Sequence, residues 1–215
     1  MTLDPQMALA LLLIIPLVAA ALIPIAGQKF ANVREGITLV AGLLLLGVVG
    51  YLGLQVADGV RPELHLGTFA GNFDVRLKLE PLGLTFAAIA SSLWIVNSLF
   101  TLGYMRGNNE KNQTRFFTFV AIAIFAAMGI AASANLITLF IFYEALTIST
   151  FPLVTHKGDD KAKKGGTIYA LILMGTSLAL LLPAIIGTQV IAGTTEFQVG
   201  GVFPADTSLL ATSIL

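Results

Sequence analysis

Apolar residues do not alternate along most of this chain but fill long, nearly uninterrupted stretches, approximately at 7–26, 37–56, 81–104, 116–132, 135–155 and 165–192. About 20 apolar residues in helical conformation cross a bilayer core of about 30 Å. The pattern therefore predicts an all-α polytopic membrane protein with six transmembrane helices. A seventh apolar run opens near Thr207, after Pro204 and Asp206, and the sequence stops at Leu215 before that run could cross. Such an ending suits a fragment, or a last segment that finishes elsewhere. The first run follows Asp4, lacks the cationic n-region of a secretory signal and is too long for an h-region alone, which predicts a retained first span.

Between the second and third runs the period changes to two. Residues 63–69 and 73–79 alternate polar with apolar positions, and Gly71 and Asn72 lie between them. This is the signature of a short β-hairpin, predicted at 63–79 outside the membrane. Within the spans, Gly47, Gly50 and Gly53 and Ala123, Ala126, Ala127 and Ala131 supply small residues that let helices approach closely. Pro183 interrupts the sixth run, where it removes a backbone donor and predicts a kink.

Composition agrees with the pattern: 56% of the 215 residues are hydrophobic and 11% charged, against roughly a quarter charged in soluble domains. Twelve basic residues balance twelve acidic ones, so charge makes no case for nucleic acid. There is no cysteine, which excludes a thiolate-held iron–sulfur cluster, and the two histidines, His65 and His156, fall outside the apolar runs. No cofactor and no metal site is expected. The position of the charges is more informative than their number. Lys29, Arg34, Arg106, Lys111, Arg115 and four lysines between 157 and 164 fall on one side of the predicted membrane, against Arg61, Arg76 and Lys78 on the other. Nine against three places the N-terminus outside and the 156–166 loop in the cytoplasm.

One ionisable residue stands away from the ends of the spans: Glu144, nine positions after Asn135 and eleven before Thr155. A charge near the bilayer centre costs at least about 2.5–3.5 kcal/mol, so such a residue faces the protein interior, pairs with a cation or holds a proton. Burial favours the neutral form of a carboxylic acid and a nearby lysine favours the anion, so a movable lysine switches proton occupancy. A permanent structural hydrogen bond to another helix is the competing role. Thr147, one turn on, could support either, although a helical threonine more often bonds the preceding turn. His156 opens a lysine-rich segment that suits proton collection, or is an ordinary basic loop. No phosphate-cradling loop, metal-ligand spacing or nucleophile triad is present, so the chain by itself is not expected to be an enzyme.

Three stretches carry a resemblance: Glu80–Pro–Leu–Gly–Leu–Thr–Phe86, Gly103–Tyr–Met105, and the fifth span, in which the aromatic–Glu pair Tyr143–Glu144 is followed by Pro152–Leu153. Together they resemble the antiporter-like subunits shared by respiratory complex I, Mrp-type cation/proton antiporters and membrane-bound hydrogenases. The ending Pro152–Leu–Val–Thr–His–Lys–Gly158 looks closer to the D-type Mrp subunit and the complex I subunit 5 class. The resemblance covers essentially the whole chain, yet only the N-terminal part of a family with about fourteen helices in two inverted repeats. It implies three leading helices in 1–104, the start of a translocating repeat in 105–215, and Glu144 as the translocation glutamate. It also implies a lysine partner in a seventh helix beyond Leu215. Glu80 departs from the aspartate common before that proline. The implied function is translocation of protons, with sodium as a further candidate, beside other membrane subunits in a prokaryotic plasma membrane. A redox module or a sodium gradient would supply the energy. The rivals are a non-conducting scaffold and a membrane partner that energises inorganic-carbon uptake.

Overall fold

The computed structural model describes residues 3–69, 73–198 and 200–203. Its helices are α1 (Pro5–Ala26), α2 (Ala31–Ala57), α3 (Pro81–Gly107), α4 (Gln113–Ala131), α5 (Leu136–Val154), α6 (Asp160–Thr176) and α7 (Leu182–Ala192). A five-residue π turn, Ser177–Leu181, joins the last two into one continuous rod. By length and hydropathy six helical segments suffice to cross a membrane, with α6, the π turn and α7 counted together. The predicted architecture is therefore present. The seventh run near Thr207 lies outside the described residues.

Local chemistry explains the boundaries. The Asp4 carboxylate accepts the Gln6 amide at 3.4 Å and Pro5 opens α1, where its missing N–H costs nothing. Asn135 caps α5 by accepting the Thr138 amide at 2.7 Å, and Asp159 caps α6 by accepting that of Ala162 at 2.6 Å. The Asp159 cap starts the sixth helix at Asp160, so Lys161, Lys163 and Lys164 ride on its first turns instead of the loop expected at 156–166. A second shift matters more. α2 begins at Ala31, ahead of the apolar run, and draws Arg34 and Glu35 into the helix. Its 27 residues span about 40 Å, more than the hydrocarbon core requires.

α4 is the central helix. It packs on α1 as extensively as on α5, while α2 lies between α1 and α3. The core runs through Leu9, Leu12 and Ile23 of α1, Leu45 and Leu52 of α2, Trp94 of α3 and Phe117 and Met128 of α4. Two glycines set the closest approaches. A Cβ on Gly83 would meet the Ala131 carbonyl oxygen at 1.9 Å, and one on Gly129 would meet the Phe142 ring at 2.1 Å. The α6–α7 rod is the least covered span.

The hairpin is present where the alternation placed it. Strand β1 (Glu63–Phe69) pairs antiparallel with β2 (Phe73–Lys78), with a register break between His65 and Gly67. Its turn residues Gly71 and Asn72 lie outside the described residues. β2 is bonded to the helices beneath: the Lys78 amide donates to Ala132 O at 2.6 Å and the Ala134 amide to Arg76 O at 3.0 Å. The Arg76 amide donates to Thr138 Oγ1 at 3.0 Å, and the Asn135 side-chain amide to Asp74 O at 2.8 Å. The Arg76 guanidinium grips both Glu63 and Glu196, tying the strands to the segment that follows α7. One end of the bundle is thus capped. The α1–α2, α3–α4 and α5–α6 connections lie at the other.

Candidate functional site

Helix α5 places the candidate carboxylate. Its start is fixed by the Asn135 cap and by two bonds to β2, and its flank is fixed where Phe142 enters the space left by Gly129 and meets Phe125 edge-on at 5.6 Å. Glu144 follows two residues later, about 12 Å from the beginning of the helix and about 15 Å from its end at 1.5 Å per residue. Its Oε1 is buried and has no hydrogen-bond partner, and Glu144 forms no ion pair among the described residues. A buried carboxyl oxygen without a donor is costly. It marks a place where a proton, a water or a cation would be stabilised.

Thr147 is buried, and its hydroxyl donates to Tyr143 O at 3.1 Å, the helical back-bond that its residue type favours. It also lines an apolar groove of about 560 Å³ between α5 and the α6 rod, together with Phe151, Met174 and Leu178. Leu178 belongs to the π turn, so the irregular part of the sixth span lies level with Thr147. The kink expected from Pro183 is realised as this widened turn: the Leu182 amide reaches back five residues to Ser177 O, and Pro183 has no N–H to offer the turn.

His156 is not gathered to Glu144. Twelve residues along the chain, it sits at the opposite end of α5 against the start of α4. Its ring meets Phe116 edge-on at 5.3 Å, its carbonyl accepts from Arg115 Nη2 at 3.1 Å, and both ring nitrogens are buried without partners. Burial first, and the nearby Arg115 charge second, hold its protonation below the usual histidine range, with Glu110 opposing in part.

A second polar centre escaped the sequence reading, which counted Arg34 and Arg106 as loop cations. Arg34 is 2% exposed. It donates to Gln113 Oε1 at 2.8 Å, to Thr114 Oγ1 at 3.2 Å and to Glu35 at 3.2 Å, and its guanidinium stands 5.3 Å from the Phe117 ring. Arg106 reaches the same carboxylate from α3 through Nε at 3.0 Å and through Nη2. Little in the sequence signalled this, because Gly36 separates Asn32–Val–Arg–Glu35 from the apolar run that begins at Ile37.

Among the described residues no cluster of three or more histidine and carboxylate side chains could hold a metal. The remaining chemistry is that of one carboxyl at mid-helix with an unpartnered oxygen, and one ion cluster of two arginines about a shared carboxylate near the end of the bundle.

Residues 133–203, which contain α5, the π turn and α7, match the family model described as NADH:quinone oxidoreductase/Mrp antiporter, transmembrane. The chain is 27% identical over 167 residues to the Na(+)/H(+) antiporter subunit A1 of Staphylococcus aureus, across 74% of this chain and 20% of that protein. It is 29% identical over 123 residues to antiporter subunit mnhA2 of Staphylococcus haemolyticus, across 57% of this chain and 15% of that protein. It thus spans about a fifth of the length of these curated relatives or less. Both are A-type subunits, whereas the ending at 152–158 resembles the D-type. In fold the chain is similar to a subunit of the archaeal membrane-bound sulfane sulfur reductase, a respiratory membrane complex, with a TM-score of 0.75 at 20% identity over 89% of this chain and 38% of that one. It is likewise similar to a subunit of the Mrp complex from Dietzia sp. DQ12-45-1b, with a TM-score of 0.67 at 20% identity over 90% of this chain and 20% of that one. The Tyr143–Glu144 and Pro152–Leu153 pairs fall inside the segment that the family model matches, about a third of the chain, and the six-span bundle follows the fold of a subunit in each of the two complexes; the chain is similar to the antiporter-like membrane subunits of NADH:quinone oxidoreductases and Mrp antiporters.

Proposed function

We propose that this chain forms part of the ion-conducting membrane arm of a multisubunit cation/proton antiporter or respiratory complex, and that Glu144 is its intramembrane proton carrier. The observation that carries the proposal is the buried Oε1 of Glu144, without a partner, in the middle of α5. A structural glutamate at that depth would be bonded to a neighbouring helix. An orphaned one is ready for a partner that comes and goes, and a lysine from a further helix or a neighbouring subunit fits the requirement. The π turn beside Thr147 supports the same reading, because irregular backbone at membrane depth is tolerated where it lines protein or a cavity. Thr147 supports the site through packing, its hydroxyl being committed to Tyr143. His156 lies at the mouth of the bundle, where burial first and Arg115 second disfavour its charged form and Glu110 opposes them in part.

The charges at the two ends of the bundle support one membrane orientation. The capped end carries three basic side chains, all paired with carboxylates: Arg61 and Lys78 with Glu80, and Arg76 with Glu63 and Glu196. The opposite end carries nine. We therefore place the hairpin and N-terminus outside and the α5–α6 connection in the cytoplasm of a prokaryotic cell. The two parts proposed on either side of 104/105 share one core, since α4 packs across that division onto α1.

Glu144→Gln and Glu144→Asp, expressed with the whole complex and measured as proton uptake into inverted vesicles, test the role. Gln should abolish uptake with the complex still assembled, and Asp should retain part of it. Full uptake in Glu144→Gln rules out the carrier role. Loss of assembly in both variants moves Glu144 to a scaffold role.

A further inference from the structure

The Arg34–Arg106 centre borders a cavity that the ion pair does not fill. It has a volume of about 370 Å³, and its wall includes Gln28, Ala31, Arg34, Arg106, Glu110 and Gln113. Ala31 is the first residue of α2 and Gln113 the first residue of α4, so two long helices open onto one space. The first amides of a helix have no intrahelical acceptor, and each N-terminus carries the equivalent of about half a positive charge. Neither is capped here. Phe30 has no side chain able to accept, and Asn112, held in the left-handed region at φ +57°, makes no cap bond. The one carboxylate in the first turns, Glu35, is occupied by Arg34 and Arg106. Arg34, though 2% exposed, keeps its Nε–H without a partner.

We propose that this cavity binds a phosphate group, supplied by the headgroup of an anionic phospholipid. Two uncapped helix starts, a half-exposed arginine and a buried arginine with a spare donor form an oxyanion-binding arrangement. The cavity lies at an end of the spans, where the polar headgroups of a bilayer lie, and basic pockets between transmembrane helices suit anionic headgroups. Glu110 is the opposing charge on the wall. It limits the affinity without removing the site: Arg34 and Arg106 balance Glu35 and Glu110, and the two helix ends leave the excess positive.

Substitutions that change the cavity charge without touching the buried network test the proposal. Ala31→Asp adds a carboxylate to the first turn of α2, where an acidic residue favours the helix, and Gln28→Glu adds one at an exposed position on the wall. Each brings its own anion to the cavity. The full-length chain, purified in neutral detergent, is titrated with phosphatidylglycerol, phosphatidylcholine or inorganic phosphate. Retained lipid is measured by native mass spectrometry, and the unfolding midpoint is recorded in parallel. Phosphatidylglycerol should be retained at least tenfold better than phosphatidylcholine and should raise the midpoint by several degrees. Both responses should be lost in Ala31→Asp and Gln28→Glu while their lipid-free midpoints stay at or above that of the parent. Glu110→Gln should strengthen retention. A midpoint shift with inorganic phosphate alone, lost in the same variants, supports the phosphate site and assigns it to a free anion. Equal retention of the two lipids, undiminished retention in both acidic variants, or weaker retention in Glu110→Gln overturns the proposal.

Discussion

Two carboxylates stand within the spans, Glu35 buried and Glu144 partly buried, and their surroundings are opposite. Glu35 is 7% exposed and held from two sides, by Arg34 on its own helix and by Arg106 on α3, so its charge is matched within the chain. Glu144 lies deeper along its helix, and its buried Oε1 has no partner among the described residues. A buried pair needs its geometry maintained, because removal of one member leaves a desolvated charge. An orphaned carboxyl has no pair to lose and must obtain its partner or proton from elsewhere. The first arrangement fixes helices together, and the second suits a group that changes state.

The largest effect that tests this contrast is on the Glu35 side. Arg34→Met should cost about 3 kcal/mol of stability, the lower end for breaking a buried pair, because Arg106 still holds Glu35 while Gln113 and Thr114 lose their donor. Thermal unfolding of the purified chain measures it, and an unchanged midpoint would show that the cluster holds nothing together. The paired substitution Glu35→Gln and Glu144→Gln should separate the two roles. The first lowers the unfolding midpoint, whereas the second leaves it level or raises it and lowers proton uptake by at least tenfold. Similar responses from the two variants erase the distinction.

A smaller effect probes how Glu144 is positioned. In Gly129→Ala the new Cβ falls within 2.1 Å of the Phe142 ring, two residues from Glu144, so the ring or α5 must move. Overpacking of this kind costs about 1–3 kcal/mol. Gly103→Ala, whose added Cβ meets nothing within 4 Å, is the control. Proton uptake reduced in Gly129→Ala and unchanged in Gly103→Ala would tie the carrier to the α4–α5 contact; equal uptake in both would not.

The spans and the hairpin were legible because each depends on local pattern: block hydrophobicity for α1 to α5 and the sixth span, and period-two alternation for β1 and β2. Glu144 was legible for the same reason, being the one charge within such a block. The Arg34–Glu35–Arg106 centre was not. Each of its members sits at a span end, where a charge is ordinarily solvated, and only the approach of α3 and α4 to the first turns of α2 buries Arg34. The π turn was half legible: Pro183 announced an irregularity, but whether a helix kinks or widens is decided by its neighbours. His156 looked like part of a solvated loop until the edge of Phe116 covered it.

That burial of His156 gives the smallest effect, and one that extends the comparison of matched and unmatched groups to the α4–α5 end of the bundle. Its ring nitrogens have no partners, and burial, followed by the Arg115 charge, holds its protonation below that of an exposed histidine at about 6.5. As pH falls from that value toward the lower one in the folded chain, the unfolded chain takes up the proton first. Stability from the neutral ring is therefore complete above about pH 6.5 and declines as the solution is acidified through the folded value. In His156→Phe, which keeps an aromatic ring against Phe116, this part of the acid sensitivity should disappear while the midpoint near pH 8 changes little. Unfolding midpoints of parent and variant measured between about pH 5 and 8 provide the test. Parallel curves would mean that His156 is solvated and matched by groups such as Glu110.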